Sequence, residues 1–165
     1  LEFDEFVMAN LPSLTKLAGV LTGDEQAAHD LLVDLLVKLA SKWGPVRAAR
    51  DPLAYVRKSL VRQYLDDRRR GNSARRRDQT LSRMPLHHTS DPVRQIDDRD
   101  MLNRALASLT PQQRGALVLR HYLDLPDQQV AELLNCSIST VRTHLSLGAA
   151  RLRRNESLLS GKDHS

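Results

Sequence analysis

Asp127-Gln128-Gln129-Val130-Ala131-Glu132-Leu133-Leu134-Asn135-Cys136-Ser137-Ile138-Ser139-Thr140-Val141-Arg142-Thr143-His144-Leu145-Ser146 is the stretch that decides the fold. Val130, Leu133 and Leu134 recur at helical spacing, Asn135 tolerates the left-handed backbone that ends a helix, and Ser137 offers a side-chain oxygen to cap the next one. Two helices, 127–134 and 138 to about 154, joined by a three-residue turn, make a helix-turn-helix. Ala131 falls where the two would cross closely and a larger side chain would push them apart. On the second helix Ile138, Val141, Leu145, Ala149 and Leu152 form the stripe expected to be buried, which leaves Ser139, Arg142, Thr143 and Ser146 on the opposite face. Short hydroxyls with one guanidinium suit base edges or phosphates in a major groove. A plain helical hairpin with a polar outer face is the competing reading of this stretch taken alone.

The same logic extends outward. Thr110-Pro111-Gln112-Gln113 combines an N-cap, a first-turn proline and a capping-box glutamine, opening a helix through Ala116, Leu117, Leu119 and Tyr122. Another helix spans about 97–108. Between 73 and 96 the composition turns polar, and Met84-Pro85, His87-His88 and Asp91-Pro92 interrupt any periodicity, as expected of a linker. Asp51-Pro52 starts a helix that carries Tyr55, Leu60, Val61, Tyr64 and Leu65 into an arginine cluster and is expected to end at Gly71-Asn72. Thr22-Gly23-Asp24-Glu25 reads as a capping box opening a helix to about Trp43, stopped by Gly44-Pro45. Ala28, Leu31, Leu32, Leu35, Leu36, Leu39 and Trp43 share its core stripe. Val33, Val37 and Ala40 lie on a second flank beside Asp30 and Asp34, an apolar surplus that points to a partner surface. The expected fold is all-α, two small helical domains joined by a flexible linker.

Composition sets the outer bounds. The 165 residues are 41% apolar and 4% aromatic, enough for one domain or two small ones. No apolar run approaches the roughly 18 to 20 residues that span a bilayer, so membrane insertion is not expected. Cys136 is the single cysteine, which excludes an internal disulfide and a multi-thiolate zinc site. His87 and His88 lack partners at ligand spacing, and no metal or cofactor is expected. With no basic-then-apolar leader at its start, the chain is expected to be cytoplasmic. Charge is unevenly spread: residues 1–43 carry net −4, whereas residues 44–77 carry eleven basic side chains against three acidic ones, net +8. Arginine dominates there, and its planar fork of donors suits phosphate oxygens. A solvated basic face is the other reading of such a run.

Two sets of motifs together carry a resemblance. Leu109-Thr110-Pro111-Gln112-Gln113-Arg114 through Val118-Leu119-Arg120-His121-Tyr122, with Val130-Ala131-Glu132-Leu133-Leu134-Asn135-Cys136-Ser137 and Ser139-Thr140-Val141-Arg142, closely resembles region 4 of the extracytoplasmic-function sigma factors, group IV of the sigma-70 family. Leu21-Thr22-Gly23-Asp24, then Ala28, Asp30 and Leu31, Trp43, Ala54-Tyr55-Val56-Arg57 and Arg68-Arg69-Arg70 are similar to region 2, most of all in an actinobacterial subgroup. The resemblance covers nearly the whole chain in the family's order.

The resemblance implies an alternative sigma factor that binds core RNA polymerase and directs promoter recognition, strand opening at the −10 element and initiation. Its implied divisions are region 2 over 1–72, a linker over 73–96, region 4 over 97–156 and a tail over 157–165. Asp30, Val33, Asp34 and Val37 would dock on the clamp helices of the largest polymerase subunit. Arg57, Lys58, Arg62, Arg68, Arg69 and Arg70 would face the −10 element. Ser139, Thr140, Arg142, Thr143 and Ser146 would contact the −35 element. An anti-sigma protein is a common partner in the family, though many members lack one, and unbound members also pack their two domains together. The sequence departs from the family pattern at His29, Val33, Arg62, Pro126 and Leu147, which bears on promoter choice and polymerase affinity. The rival reading is a helix-turn-helix transcriptional regulator that acts without polymerase. It leaves the arginine cluster and the Val33/Val37 flank unexplained. An enzyme fits worse, because no nucleophile–base arrangement, phosphate-cradling glycine loop or metal-ligand spacing is present.

Overall fold

The computed structural model of the chain describes residues 1–77 and 104–160, and no strand occurs among them. Much of the expected linker, 78–96, and the start of the 97–108 helix lie outside the described residues.

The first half opens with α1 (Phe3–Thr22), which buries Phe6, Leu14, Leu17, Ala18 and Leu21. Gly23 ends it in the left-handed conformation at φ 70°, its N–H donating to the Gly19 carbonyl at 2.8 Å. A side chain there would be strained, so glycine is the natural residue for so tight a junction. α2 (Glu25–Ala40) follows at once. Its cap is Asp24, whose carboxylate accepts from the Ala27 N–H at 3.0 Å. Thr22, expected to cap this helix, instead belongs to α1 and donates its hydroxyl to the Ala18 carbonyl at 2.8 Å.

α2 also stops earlier than its periodicity implies, at Ala40. Gly44 and Pro45 sit inside the next short helix, α3 (Trp43–Arg47), because a first-turn proline has no intrahelical N–H to lose. Trp43 remains core as expected, stacked edge-on against Phe3 and tilted against Phe6 at centroid distances of 5.5 and 5.0 Å. α4 (Pro52–Arg77) is capped by Asp51, which accepts from the Ala54 N–H at 3.0 Å. It continues through Gly71 and Asn72, where an end was expected. One interior glycine costs only about 1 kcal/mol relative to alanine, too little to break a helix so rich in arginine.

The second half comprises a helical turn at 104–107, then α5 (Pro111–Leu117), a π-helical segment (Val118–Tyr122), α6 (Asp127–Leu134) and α7 (Ile138–Ser160). The Thr110/Gln113 capping box is formed in both directions, at 3.2 Å each. The helix after it was expected to run evenly to Tyr122, but it widens at Val118, and the Leu123 N–H closes onto the Val118 carbonyl at 2.9 Å. Asn135 takes the left-handed turn at φ 54°, and Ser137 Oγ accepts from the Thr140 N–H at 3.1 Å, as the turn residues require. Ala131 and Val141 are buried, and Leu145, Ala149 and Leu152 are half-buried. Ile138 departs from the expected stripe. It is exposed, lying on the first turn of α7.

The halves pack on each other. Gly115 in α5 sits between Leu65 of α4 and Leu134 of α6, and a Cβ there would lie 3.4 Å from each leucine. Arg114, only 5% exposed, reaches across, its Nε donating to the Val20 carbonyl at the end of α1 at 2.8 Å. Burial lowers the Arg114 guanidinium pKa and raises that of the neighbouring Tyr64 phenol; the two groups oppose each other's shift.

Candidate nucleic-acid interface

Three faces remain uncovered by this packing. The first is on α2, where Asp30, Val33, Asp34 and Val37 follow at i, i+3, i+4 and i+7 and so share one side of the helix. Val33 and Val37 are 43% and 67% exposed, directly opposite the leucines that α2 buries. The predicted flank is therefore an apolar strip edged by carboxylates, with exposed His29 3.8 Å from Asp30.

The second face is the basic side of α4. Arg62 and Arg70 line an open cleft of about 220 Å³ together with Tyr55, the carboxylates of Asp66 and Asp67, and two lysines from the other wall, Lys38 and Lys42. Lys38 is held by Gln63 Oε1 at 3.4 Å, and Gln63 in turn donates to the Leu31 carbonyl at 3.3 Å, which anchors the buried glutamine between α2 and α4. Lys58 and Arg69 project from the same side of α4 by the roughly 100° turn per residue. Arg57 and Arg68, eleven residues or three turns apart, lie on the other side, where Arg68 sits 5.5 Å above the Tyr64 ring. Of the six predicted cations, Arg62 and Arg70 thus line the cleft, Lys58 and Arg69 lie beside it on the same side of α4, and Arg57 and Arg68 lie on the opposite side. Lys38 and Lys42 were missed in the sequence because both fall outside the arginine run; their i, i+4 spacing was the available signal.

The third face belongs to the helix-turn-helix. Ser139, Thr140, Arg142, Thr143 and Ser146 are all exposed on α7. They are not equivalent. Thr140 Oγ1 lies 2.9 Å from Ser137 Oγ within the cap, and the Thr143 hydroxyl donates back to the Ser139 carbonyl at 3.1 Å. Arg142 points its Nε at Asp127 Oδ2 at 3.4 Å, while Arg120 Nε takes Asp127 Oδ1 at 3.3 Å. The Asp127 and Arg120 roles were invisible along the sequence, since fifteen and seven residues separate the partners. Leu147 is exposed on the same helix, an apolar side chain among polar ones. Cys136 packs half-buried in the turn, where burial pushes its thiol pKa up.

A helix-turn-helix whose outer face carries hydroxyls and a restrained arginine, joined to a cationic helical half, defines a DNA-binding protein. Comparison with known proteins gives the family. Sigma-70, region 4 matches residues 99–152. The RNA polymerase sigma-E factor of Streptomyces avermitilis is 31% identical over 154 residues, covering 93% of this chain and 84% of that protein. The extracytoplasmic-function (ECF) RNA polymerase sigma factor SigK of a Mycobacterium species is 27% identical over 133 residues, covering 78% and 67% respectively. The solved sigma factor RpoE of Bartonella quintana, in complex with the anti-sigma factor NepR, shares the fold with a TM-score of 0.67 and 24% identity over 94% of this chain and 96% of that one.

The chain belongs to the extracytoplasmic-function sigma factors. It is an alternative sigma factor that binds core RNA polymerase and promoter DNA to direct transcription initiation. A regulator independent of polymerase is not favoured, because the similarity runs through the first half as well as the helix-turn-helix. No described helix is long and apolar enough to cross a membrane.

Proposed function

We propose that the three faces divide the work of initiation. Residues 1–72 act as region 2, 73–96, whose first five residues continue α4, as the linker, 97–156 as region 4 and 157–165, whose first four residues end α7, as a tail. Asp30, Val33, Asp34 and Val37 dock on the clamp helices of polymerase, where desolvating two valines supplies affinity and the carboxylates set register. Lys58, Arg62, Arg69 and Arg70 hold the −10 strand along the α4 cleft, with Arg57 and Arg68 reaching backbone phosphates from the other side. Ser139, Thr140, Arg142, Thr143 and Ser146 meet the −35 major groove. The chain acts by binding, without a catalytic step, in the cytoplasm. An anti-sigma protein that covers the valine strip would hold it inactive.

The observation that carries this reading is the exposure of Val33 and Val37 beside two carboxylates on a helix whose other side is fully buried. A consequence follows from size. A chain of this length packed as one body is about 40 Å across by the compact-domain scaling, whereas the two promoter elements are separated by roughly 25 base pairs, about 85 Å at 3.4 Å each. The halves must part on polymerase to reach both, releasing Arg114 from the Val20 carbonyl.

The test is run-off transcription with core polymerase on a randomised promoter library, paired with core-binding titrations of a Val33→Asp/Val37→Asp variant. The variant is expected to bind core at least about tenfold more weakly with an unchanged helical spectrum. Wild-type affinity in that variant refutes the docking face.

A further inference from the structure

Arg142 has five N–H donors, and what it can read depends on which of them point outward. Its Nε faces Asp127 Oδ2, so the side of the guanidinium that carries Nε is turned toward α6. The remaining Nη1/Nη2 end is the edge that can grip two acceptors at once, as the O6/N7 pair of a guanine presents them. Asp127 is itself fixed. It occupies the first position of α6, where the helix dipole favours a carboxylate, and its other oxygen is taken by Arg120 at 3.3 Å. Arg120 is in turn steadied by Asp124, 3.8 Å away across the turn after the π-helical segment. The Asp127 and Arg120 side chains are only 30% and 38% exposed, which limits screening, whereas Arg142 is 72% exposed and projects outward.

We propose that Asp127 is a specificity-positioning residue: bridging Arg120 and Arg142, it aims the Nη1/Nη2 edge of Arg142 at a base pair of the −35 element. This rests on the reading of Arg142 given under Proposed function. The carboxylate does two things. It removes part of the rotamer freedom that a long exposed arginine would otherwise lose on binding. It also offsets the charge of Arg142, so that the side chain is a poorer general phosphate ligand and a better base reader. Loss of the carboxylate therefore lowers discrimination without lowering affinity for DNA in general, a pattern that simple damage to the fold does not produce.

The test uses the full chain reconstituted with actinobacterial core polymerase, selecting from promoters randomised across the −35 element. Wild type, Asp127→Asn, Arg142→Ala, the double variant and the conservative Asp127→Glu are compared, each also titrated with a non-promoter duplex. Arg142→Ala is expected to abolish a roughly five- to 150-fold base preference at one position, the range of a bidentate arginine contact. Asp127→Asn is expected to lower the preference at that same position about threefold or more, with non-promoter affinity held or raised, and to add nothing in the Arg142→Ala background. Asp127→Glu is expected to restore most of the preference. If Arg142→Ala changes the preference and Asp127→Asn does not, or if the two losses add, the positioning role is overturned while the reading of Arg142 stands. If Arg142→Ala changes no −35 position, both fall together.

Discussion

The two halves of this sigma factor share one buried core but build their parts of it from different elements. In the first, long helices bury an almost continuous set of leucines: Leu14, Leu17, Leu21 and Leu60 are wholly inaccessible, and α1, α2 and α4 meet along them. In the second, α5 and α6 are seven and eight residues long, too short to persist alone in water. They rely on burying Ala116, Leu119, Val130 and Val141 in the common core, and on the Thr110 box, the left-handed Asn135 and the Ser137 cap. The chemistry proposed to face DNA divides along the same line. The first half offers a bank of cations, and the second offers hydroxyls and one arginine paired with a carboxylate. Charge in bulk gives affinity and salt sensitivity, while directed donors give sequence preference.

The contrast can be broken by substitution. The largest effect is expected at Leu60, fully buried in α4, where Leu60→Ala should cost about 2–5 kcal/mol in denaturant unfolding. A loss no larger than that of a cap variant would mean that burial does not dominate the first half. Next come the two DNA faces. Arg142→Ala should cost about 1–3 kcal/mol of discrimination between −35 sequences. Arg62→Ala should cost more total promoter affinity than Arg142→Ala and reduce the salt slope by about one, since on the proposed assignment Arg62 adds charge to the −10 face and Leu147 removes it from the −35 face. Equilibrium binding at several salt concentrations reads both, and a smaller affinity loss at Arg62 than at Arg142 overturns that ranking.

Turn chemistry follows. Asn135→Ala should destabilise by about 1–2 kcal/mol, because alanine resists the left-handed backbone at φ 54°, whereas Asn135→Gly should be close to neutral. Equal melting temperatures for the two variants would remove the turn from the account. The smallest effect, about 1 kcal/mol, is expected for Thr110→Ala, which deletes one side of a capping box while leaving Gln113 in place. Thermal unfolding followed by circular dichroism resolves it, and wild-type stability would mean the box is redundant with packing.

The features legible in the sequence were those encoded over a few residues. The Thr110 box, the Asn135 turn, the Ser137 cap and the core stripe of α2 all depend on neighbours within one or two helical turns, and each stands where its pattern put it. Errors arose where local signals were ambiguous. Thr22 and Asp24 are both competent caps, and only the immediate approach of α1 gives Thr22 to the preceding helix. Pro45 can end a helix or open one, and Gly71 can end a helix or be tolerated inside it. Ile138 fits the apolar spacing of α7, yet it precedes the stretch that the other helices cover.

What the chain alone determined is its helical character, its caps and turns, the apolar and hydroxyl faces of its helices, and enough motif to mark it as a sigma factor. Tertiary structure decided which charges work together: Lys38 and Lys42 with Arg62 around one cleft, Arg120 and Arg142 on one carboxylate, and Arg114 buried against the end of α1. Caps and stripes follow from backbone geometry repeated every few residues. Those charge groupings depend on where distant helices cross, which is set by the summed packing of the whole core.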